Sequence, residues 1–259
     1  MISPSFDALV CDLDGVIYRG ARAIPGAVEA IDRLRGRGIK ILFCTNNSNS
    51  TIQQYMGKLQ GLGLDVSEDE VLTSAKVTAG VLQARGFAGK TAIVVGGAGL
   101  REALGEVCIS VKDDPQVTVA DVVVVGFDLG FTYEAMRRAA VAVRRGAALV
   151  ATNDDASFPA EEELWPGAGA ILSSIETACG VRAEVMGKPH PPMMEAAARR
   201  LEGSRAIAVV GDRPDTDLAG GLARGWRTIL VLSGVTTTAQ AERLENVPDL
   251  VIGSIADLA

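Results

Sequence analysis

Histidine is almost absent: the 259-residue chain has a single one, His190. Its four cysteines, Cys11, Cys44, Cys108 and Cys179, lie far apart and form no CxxC pair. A Cys/His zinc site is therefore close to excluded, and nothing suggests a disulfide framework. Positive charge is in the minority, with 25 Lys+Arg against 32 Asp+Glu and a net charge of -7. No basic run interleaved with aromatics offsets that balance, so neither nucleic acid nor an anionic membrane surface is an expected partner. No stretch is apolar over the ~18 residues that a membrane span requires. The amino-terminal residues also lack the basic and apolar regions of a secretion signal. These absences together predict a reduced, cytoplasmic, soluble protein.

What is present is a globular composition, 48% hydrophobic and 22% charged. At ~150 residues per domain the length fits one to two domains. It is ample for a core that needs neither disulfide nor structural metal. Apolar, β-branched runs fall at residues 8–11, 39–44, 92–95, 122–125, 148–151, 206–210 and 228–232. Each is continuous rather than alternating, as expected of parallel strands covered on both faces. Amphipathic helical patterns lie between them, for example 27–34, 133–143, 171–178 and 193–201, the first introduced by Pro25-Gly26 and stopped by Gly36 and Gly38. The alternation predicts an α/β fold with a doubly wound parallel sheet and right-handed crossovers.

Chemically loaded turns follow only some of these strands. Asp12-Leu13-Asp14-Gly15 follows the first, Thr45-Asn46-Asn47-Ser48 the second, and Gly211-Asp212 a later one, with Lys188-Pro189 shortly before it. Residues 86–182 carry fewer polar strand ends. Since open parallel sheets bind ligands at the carboxyl ends of their strands, this distribution predicts a discontinuous core, 1–85 plus 183–259, with an inserted domain at 86–182.

Asp12 and Asp14 stand two apart at a strand exit, where alternate residues point the same way. Two carboxylates held together repel unless a cation or a shared proton intervenes. Oxygen donors without His or thiolate suit Mg²⁺, although an Asp/Gly-rich solvated turn would look the same. Asp212, Asp215 and Asp217 form a second acidic cluster, in which Asp215 also reads as the N-cap of a helix over 218–223. A divalent ion shared by the two clusters would supply their counter-charge. Thr45 and the amide of Asn46 could hold phosphate oxygens at a helix start, or serve only as turn and cap. Pro189 restricts Lys188 to extended backbone that could aim its ammonium inward, though surface lysines are commoner than catalytic ones. His190, in a Pro-rich loop, reads as incidental. Gly96-Gly97-Ala98-Gly99 hints at a dinucleotide turn, but the third glycine and the distal acid are absent. It reads as a tight strand–helix turn.

Taken in order, Asp12-Leu-Asp14-Gly, Thr45-Asn46, Lys188-Pro189 and Gly211-Asp212-x-x-Asp215-Thr216-Asp217 resemble the four motifs of the haloacid dehalogenase superfamily. The insertion between the second and third motifs resembles that superfamily's second cap type. Segments at 45–48, 126–133, 152–155, 166–169 and 187–189 resemble its NagD-type, p-nitrophenylphosphatase-like branch.

The resemblance implies a Rossmann-like core with an inserted α/β cap and a Mg²⁺-dependent phosphatase acting on small-molecule phosphomonoesters. Asp12 would be the nucleophile, forming an aspartyl-phosphate, and Asp14 the general acid and base. Thr45, the Asn46 amide and Lys188 would hold the phosphate. Mg²⁺ would take the Asp12 carboxylate, the Asp14 carbonyl and Asp212, with Asp217 acting behind them or through water. An acid at position 14 is absent from the superfamily's dehalogenases and is Thr in its ion-pumping ATPases, so Asp14 points to rapid ester hydrolysis. The loop at 154–159 resembles the family's specificity loop. There Asp155 is a candidate specificity residue, and Phe158 either walls the substrate or is buried in the cap. If Asp154 and Asp155 face the site, they would disfavour highly anionic leaving groups. Two other readings are a receiver-like phospho-aspartate signalling module and a non-catalytic phosphate-binding protein. A homodimer through the cap is left open.

Overall fold

The computed structural model describes residues 6–159 and 163–258. The amino-terminal stretch read for a secretion signal therefore lies, up to residue 5, outside the described residues. Among the described residues no helix is long and apolar enough to cross a membrane. The chain divides into two compact units: Met1–Thr45, Tyr55–Leu72 and Met193–Ala259 in one, Asn46–Gln54 and Thr73–Pro192 in the other.

The first unit is built on a six-stranded sheet. In spatial order its strands are Leu250–Ile252, Arg227–Val231, Ile207–Gly211, Ala8–Cys11, Lys40–Thr45 and Val71–Thr73. Numbered by chain order within the sheet, this is 3-2-1-4-5-6 read from the other edge, the doubly wound order. Ala8–Cys11 pairs in parallel with Lys40–Thr45 on one side and Ile207–Gly211 on the other, with Cys11 opposite Val210. The chain enters at the centre, builds outward one way, and returns to build the other way. Consequently the switch point lies between residues 11 and 210, where the crossovers diverge and leave a crevice. The strands are uniformly apolar because both faces are covered: Ala8, Leu9, Val10 and Cys11 are all buried. Helix Ala27–Gly36 covers part of this core by burying Ala27, Ala30, Ile31 and Leu34, the i, i+3, i+4, i+7 stripe visible in the sequence.

The second unit has its own five-stranded sheet, ordered Glu184–Val185, Ala148–Ala151, Val122–Val125, Thr91–Val95 and Ser110–Val111. Every pairing in it is parallel. Counted within the sheet its order is 5-4-3-1-2, a second open α/β arrangement. Helices Tyr133–Arg144 and Ala168–Cys179 pack together over a core that includes Val123, Val125, Ala139, Leu172 and Ile175. All seven apolar runs are strands, within a residue or so at their ends.

Segments 46–54, 73–85 and 183–192, assigned from the sequence to the core, group with this second sheet. Close packing explains the grouping for 46–54. A Cβ on Gly97 would stand 1.6 Å from Asn49 Oδ1, and one on Gly99 would stand 2.1 Å from the Ser50 carbonyl. Gly99 N–H also donates to the Asn49 carbonyl at 2.8 Å. The glycine-rich turn at 96–99 thus exists to admit a neighbouring chain segment, and it opens helix Ala98–Glu106.

Leu9 is fully buried in the central strand. Leu9→Ala should cost about 2–5 kcal/mol of unfolding free energy, read as a lowered urea midpoint with unchanged m-value.

Candidate active site

Three carboxylates converge at the switch point. Asp12 leaves the strand Ala8–Cys11, its N–H donating to the Val210 carbonyl at 3.0 Å. Asp212 leaves the adjacent strand Ile207–Gly211, and Asp217 comes back from the turn that follows. One carboxylate oxygen from each of the three lies within 4.8 Å of the others. Asp212 and Asp217 are buried and Asp12 is half-buried. An all-oxygen, all-anionic donor set of this kind fits a hard divalent cation such as Mg²⁺, and a cation relieves the repulsion among the three.

Local backbone chemistry aims each acid. Residues 214–218 form one π-helical turn before helix Ala219–Ala223, and this wider turn carries Asp217 back toward the sheet. Asp217 Oδ2 accepts the Arg213 N–H at 3.1 Å. Gly211 makes room for it, since a Cβ there would lie 2.2 Å from that of Asp217. Asp212 is held by the loop after Arg227–Val231. Its Oδ2 accepts the Val235 N–H at 2.7 Å, and its carbonyl accepts the Thr236 hydroxyl at 2.5 Å. The same loop is fastened to the first motif: Ser233 Oγ donates to the Gly15 carbonyl at 2.6 Å, and Arg19 donates to the Gly234 carbonyl. Gly15, at φ +81°, and Gly234 both press on Asp212 Oδ2, where a Cβ would stand 2.4 Å and 1.9 Å away.

The other predicted residues are placed as follows. The Asp14 side chain is outside the three-acid cluster, half-buried in the turn where Asp14 bridges to Tyr18. Beside it Lys58 Nζ stands 3.2 Å from the centroid of the Tyr18 ring, a cation–π contact. Burial lowers the Lys58 pKa, opposed by the Asp14 charge. Burial, then the charge of Asp14, raises the Tyr18 phenol far above its ordinary value. Thr45 is buried at the end of Lys40–Thr45. Asp215 does not cap a helix, contrary to expectation. It lies inside the π turn with an exposed side chain, and the following helix begins at Ala219.

In the second unit Asn46 is a buried hub. Its Oδ1 accepts the Lys188 N–H at 2.7 Å, and its Nδ2 donates to the Lys188 carbonyl and to Asp155 Oδ1, both at 2.9 Å. Its own carbonyl accepts Ser74 Oγ at 2.5 Å and Asn153 Nδ2 at 2.8 Å. Lys188 itself is buried and precedes a cis proline. Asp155 is thus a fastener, and Asp154 pairs with His190, so both acids of that loop have protein partners. Phe158 is half-buried and stacks on Phe127, ring centroids 4.7 Å apart.

Sequence reasoning missed Phe127, Ser74, Lys58 and the 233–236 loop. Asn153 lay within a quoted segment without a role. Phe127 likewise lay within the quoted segment 126–133 without a role; the others stand in no motif, and their contributions arise from packing across tens to hundreds of residues.

Known proteins match this arrangement over nearly the whole chain. A family model described as haloacid dehalogenase-like hydrolase matches residues 9–110, and one described as HAD-hydrolase-like matches residues 185–258. The acid sugar phosphatase of Staphylococcus aureus is 39% identical over 244 residues, 94% of this chain and 92% of the relative. Among solved structures, the p-nitrophenyl phosphatase from Archaeoglobus fulgidus superposes with a TM-score of 0.88 at 35% identity, covering 98% of both chains. The glycerol phosphate phosphatase from Mycobacterium tuberculosis, in complex with calcium, gives a TM-score of 0.85 at 33% identity, covering 97% of this chain and 74% of that one. The chain therefore belongs to the haloacid dehalogenase-like hydrolases. Within them it is a phosphatase of the p-nitrophenylphosphatase-like, NagD-type branch.

Two substitutions probe this geometry. Gly234→Ala should displace Asp212 and weaken divalent-ion binding about 10–100-fold, as loss of a supporting group around a metal ligand does, measured by calorimetric titration. Asn46→Asp replaces an amide donor with an acceptor facing the Lys188 carbonyl. It should cost about 1–3 kcal/mol, seen as a lowered Tm.

Proposed function

We propose that this phosphatase hydrolyses small-molecule phosphomonoesters through an aspartyl-phosphate on Asp12, with Mg²⁺ as its cofactor. The observation that carries the reading is the convergence of Asp12, Asp212 and Asp217 within 4.8 Å at the switch point of the six-stranded sheet. The same metal requirement is supported by one relative, solved once with calcium and once with magnesium.

In this reading an Asp12 carboxylate oxygen attacks phosphorus in line, the bond from phosphorus to the ester oxygen breaks, and the leaving alkoxide takes a proton from Asp14. Asp14, now a carboxylate, removes a proton from water. That water attacks the phosphorus of the intermediate, the phosphorus–Asp12 bond breaks, and inorganic phosphate leaves with both acids regenerated. Thr45, the Asn46 amide and Lys188 hold the transferring oxygens as charge spreads over them. The Asp12 and Asp212 carboxylates and the Asp14 carbonyl would hold Mg²⁺, with Asp217 steadying the set. When bound, the ion neutralises charge that would otherwise repel an anionic nucleophile from an anionic phosphate. We assign substrate selection to the inserted domain at 86–182, with Phe158 and its partner Phe127 as an aromatic wall. The names of the relatives favour small esters such as sugar phosphates, glycerol phosphate and aryl phosphates. We assign the protein to a reducing compartment such as the cytoplasm, a reading supported by four cysteines that form no disulfide.

Asp12→Asn should lower kcat by more than about a thousandfold without loss of fold. EDTA should silence the wild type, and excess Mg²⁺ should restore it. Phosphate release from a panel of small esters measures both effects. Turnover that persists in Asp12→Asn would contradict the assigned nucleophile.

A further inference from the structure

The segment 152–158 and the turn 187–190 belong to the same compact unit. Asn46 joins them on the inside, through Asp155 and both backbone groups of Lys188. Met186 N–H adds a bond to the Ala151 carbonyl at 2.9 Å. At the outer edge stands one contact that neither the metal cluster nor the phosphate-holding groups require. His190 Nε2 and Asp154 Oδ2 are 2.9 Å apart, with about a third of the histidine side chain and two fifths of the aspartate exposed. The His190 N–H donates to the Gly187 carbonyl at 2.8 Å, which fixes the turn that aims the ring.

An ion pair this exposed is ordinarily weak, because ordering two side chains offsets much of the attraction. Here Asn46 already holds the turn through both backbone groups of Lys188 and the facing segment through the side chains of Asn153 and Asp155, so less further chain entropy is lost when the two partners meet. The charges acting on His190 come from segment 152–158: the hydrogen bond and charge of Asp154, then the charge of Asp155. Lys188 lies two residues away on the same turn. We propose that His190 and Asp154 are a positioning pair, which when ionised fastens segment 153–158, with Asp155 and Phe158, to the turn bearing Lys188 and so favours substrate capture. The effect on capture rests on the phosphatase reading above; the pairing itself does not.

The pH dependence has a definite sign. Asp154 raises the pKa of His190, against the opposing effect of burial. The pair is therefore complete below the ordinary histidine value and is lost as pH rises through the raised one. Asp154, whose pKa the same hydrogen bond lowers, keeps its charge until well into the acid range. Capture should weaken toward alkaline pH while the chemical step is unaffected.

Because His190 is the only histidine, its ring signals in an NMR titration need no assignment. Asp154→Asn should move that titration to lower pH. With p-nitrophenyl phosphate and saturating Mg²⁺, the wild-type KM should rise about two- to fivefold as His190 discharges, the size expected of a partly exposed pair, with kcat steady. His190→Gln should show the raised KM throughout. His190→Arg, which keeps the charge, should hold the low KM across the range. Titration of the substrate's own phosphate is common to all variants and cancels in the ratios. Amide exchange of residues 153–158 should be faster in Asp154→Asn than in the wild type at one pH. An unchanged His190 titration together with unchanged exchange in Asp154→Asn would overturn the pairing. A KM profile identical in all variants would overturn its role in capture. If the wild type turned over no ester, the phosphatase reading would fail, while the titration and the exchange would still decide the pair.

Discussion

Like charges gathered within a few ångströms oppose one another's ionisation, and the first unit is organised around bearing that cost at Asp12, Asp212 and Asp217. The sheet order brings the first two together without any direct attraction between them. Residues 12 and 212 are distant in sequence, yet each follows a strand, and those strands are neighbours with Cys11 opposite Val210. Backbone N–H groups from Val235 and Arg213 then donate to the Asp212 and Asp217 carboxylates and fix their orientation. Three glycines, at 15, 211 and 234, leave the space that lets these contacts close. Such a cluster is costly for a fold to keep unless a cation completes it.

In the second unit the corresponding constraint is a fully used amide. Asn46 makes both a donor and an acceptor bond to the backbone of Lys188 and a further donor bond to Asp155. An Asn fits here where Asp, Gln or Ser would not, because one planar group must present a donor and an acceptor to a single peptide and still reach a carboxylate. Lys188 is buried, and this network holds both of its backbone groups. The second motif thereby organises the third motif and the specificity loop.

Much of the fold was legible in the sequence. Continuous apolar runs marked all seven of the longer parallel strands, and the stripe at Ala27, Ala30, Ile31 and Leu34 marked a helix correctly. The acids at 12, 212 and 217 could be read because strand ends concentrate chemistry in an open parallel sheet. Asp215 was misread because a helical pattern with an acid before it normally means a cap, and a π turn leaves no distinct sequence signature. Two-residue strands such as Ser110–Val111 and Glu184–Val185 are too short to show any period. Ser233, Val235 and Thr236 were invisible for another reason: two of them act through hydroxyls and one through a backbone N–H, at contacts that span 23 to 218 residues. The side chain of Asn46 was unread for the same reason: only its amide had a role in the sequence, whereas the side chain bonds to Lys188 and Asp155, more than a hundred residues away.

The central claim is that Asp12 carries the phosphoryl group between two half-reactions. Asp14→Asn should slow loss of that group from the enzyme by removing the base that activates water. Mixing this variant with substrate and Mg²⁺, reducing the acyl phosphate with borohydride, and mapping the product by peptide mass spectrometry would locate the bond directly. The account predicts homoserine at position 12 and at no other acid. An unmodified Asp12, from a sample that has demonstrably released the alcohol of its substrate, would contradict it.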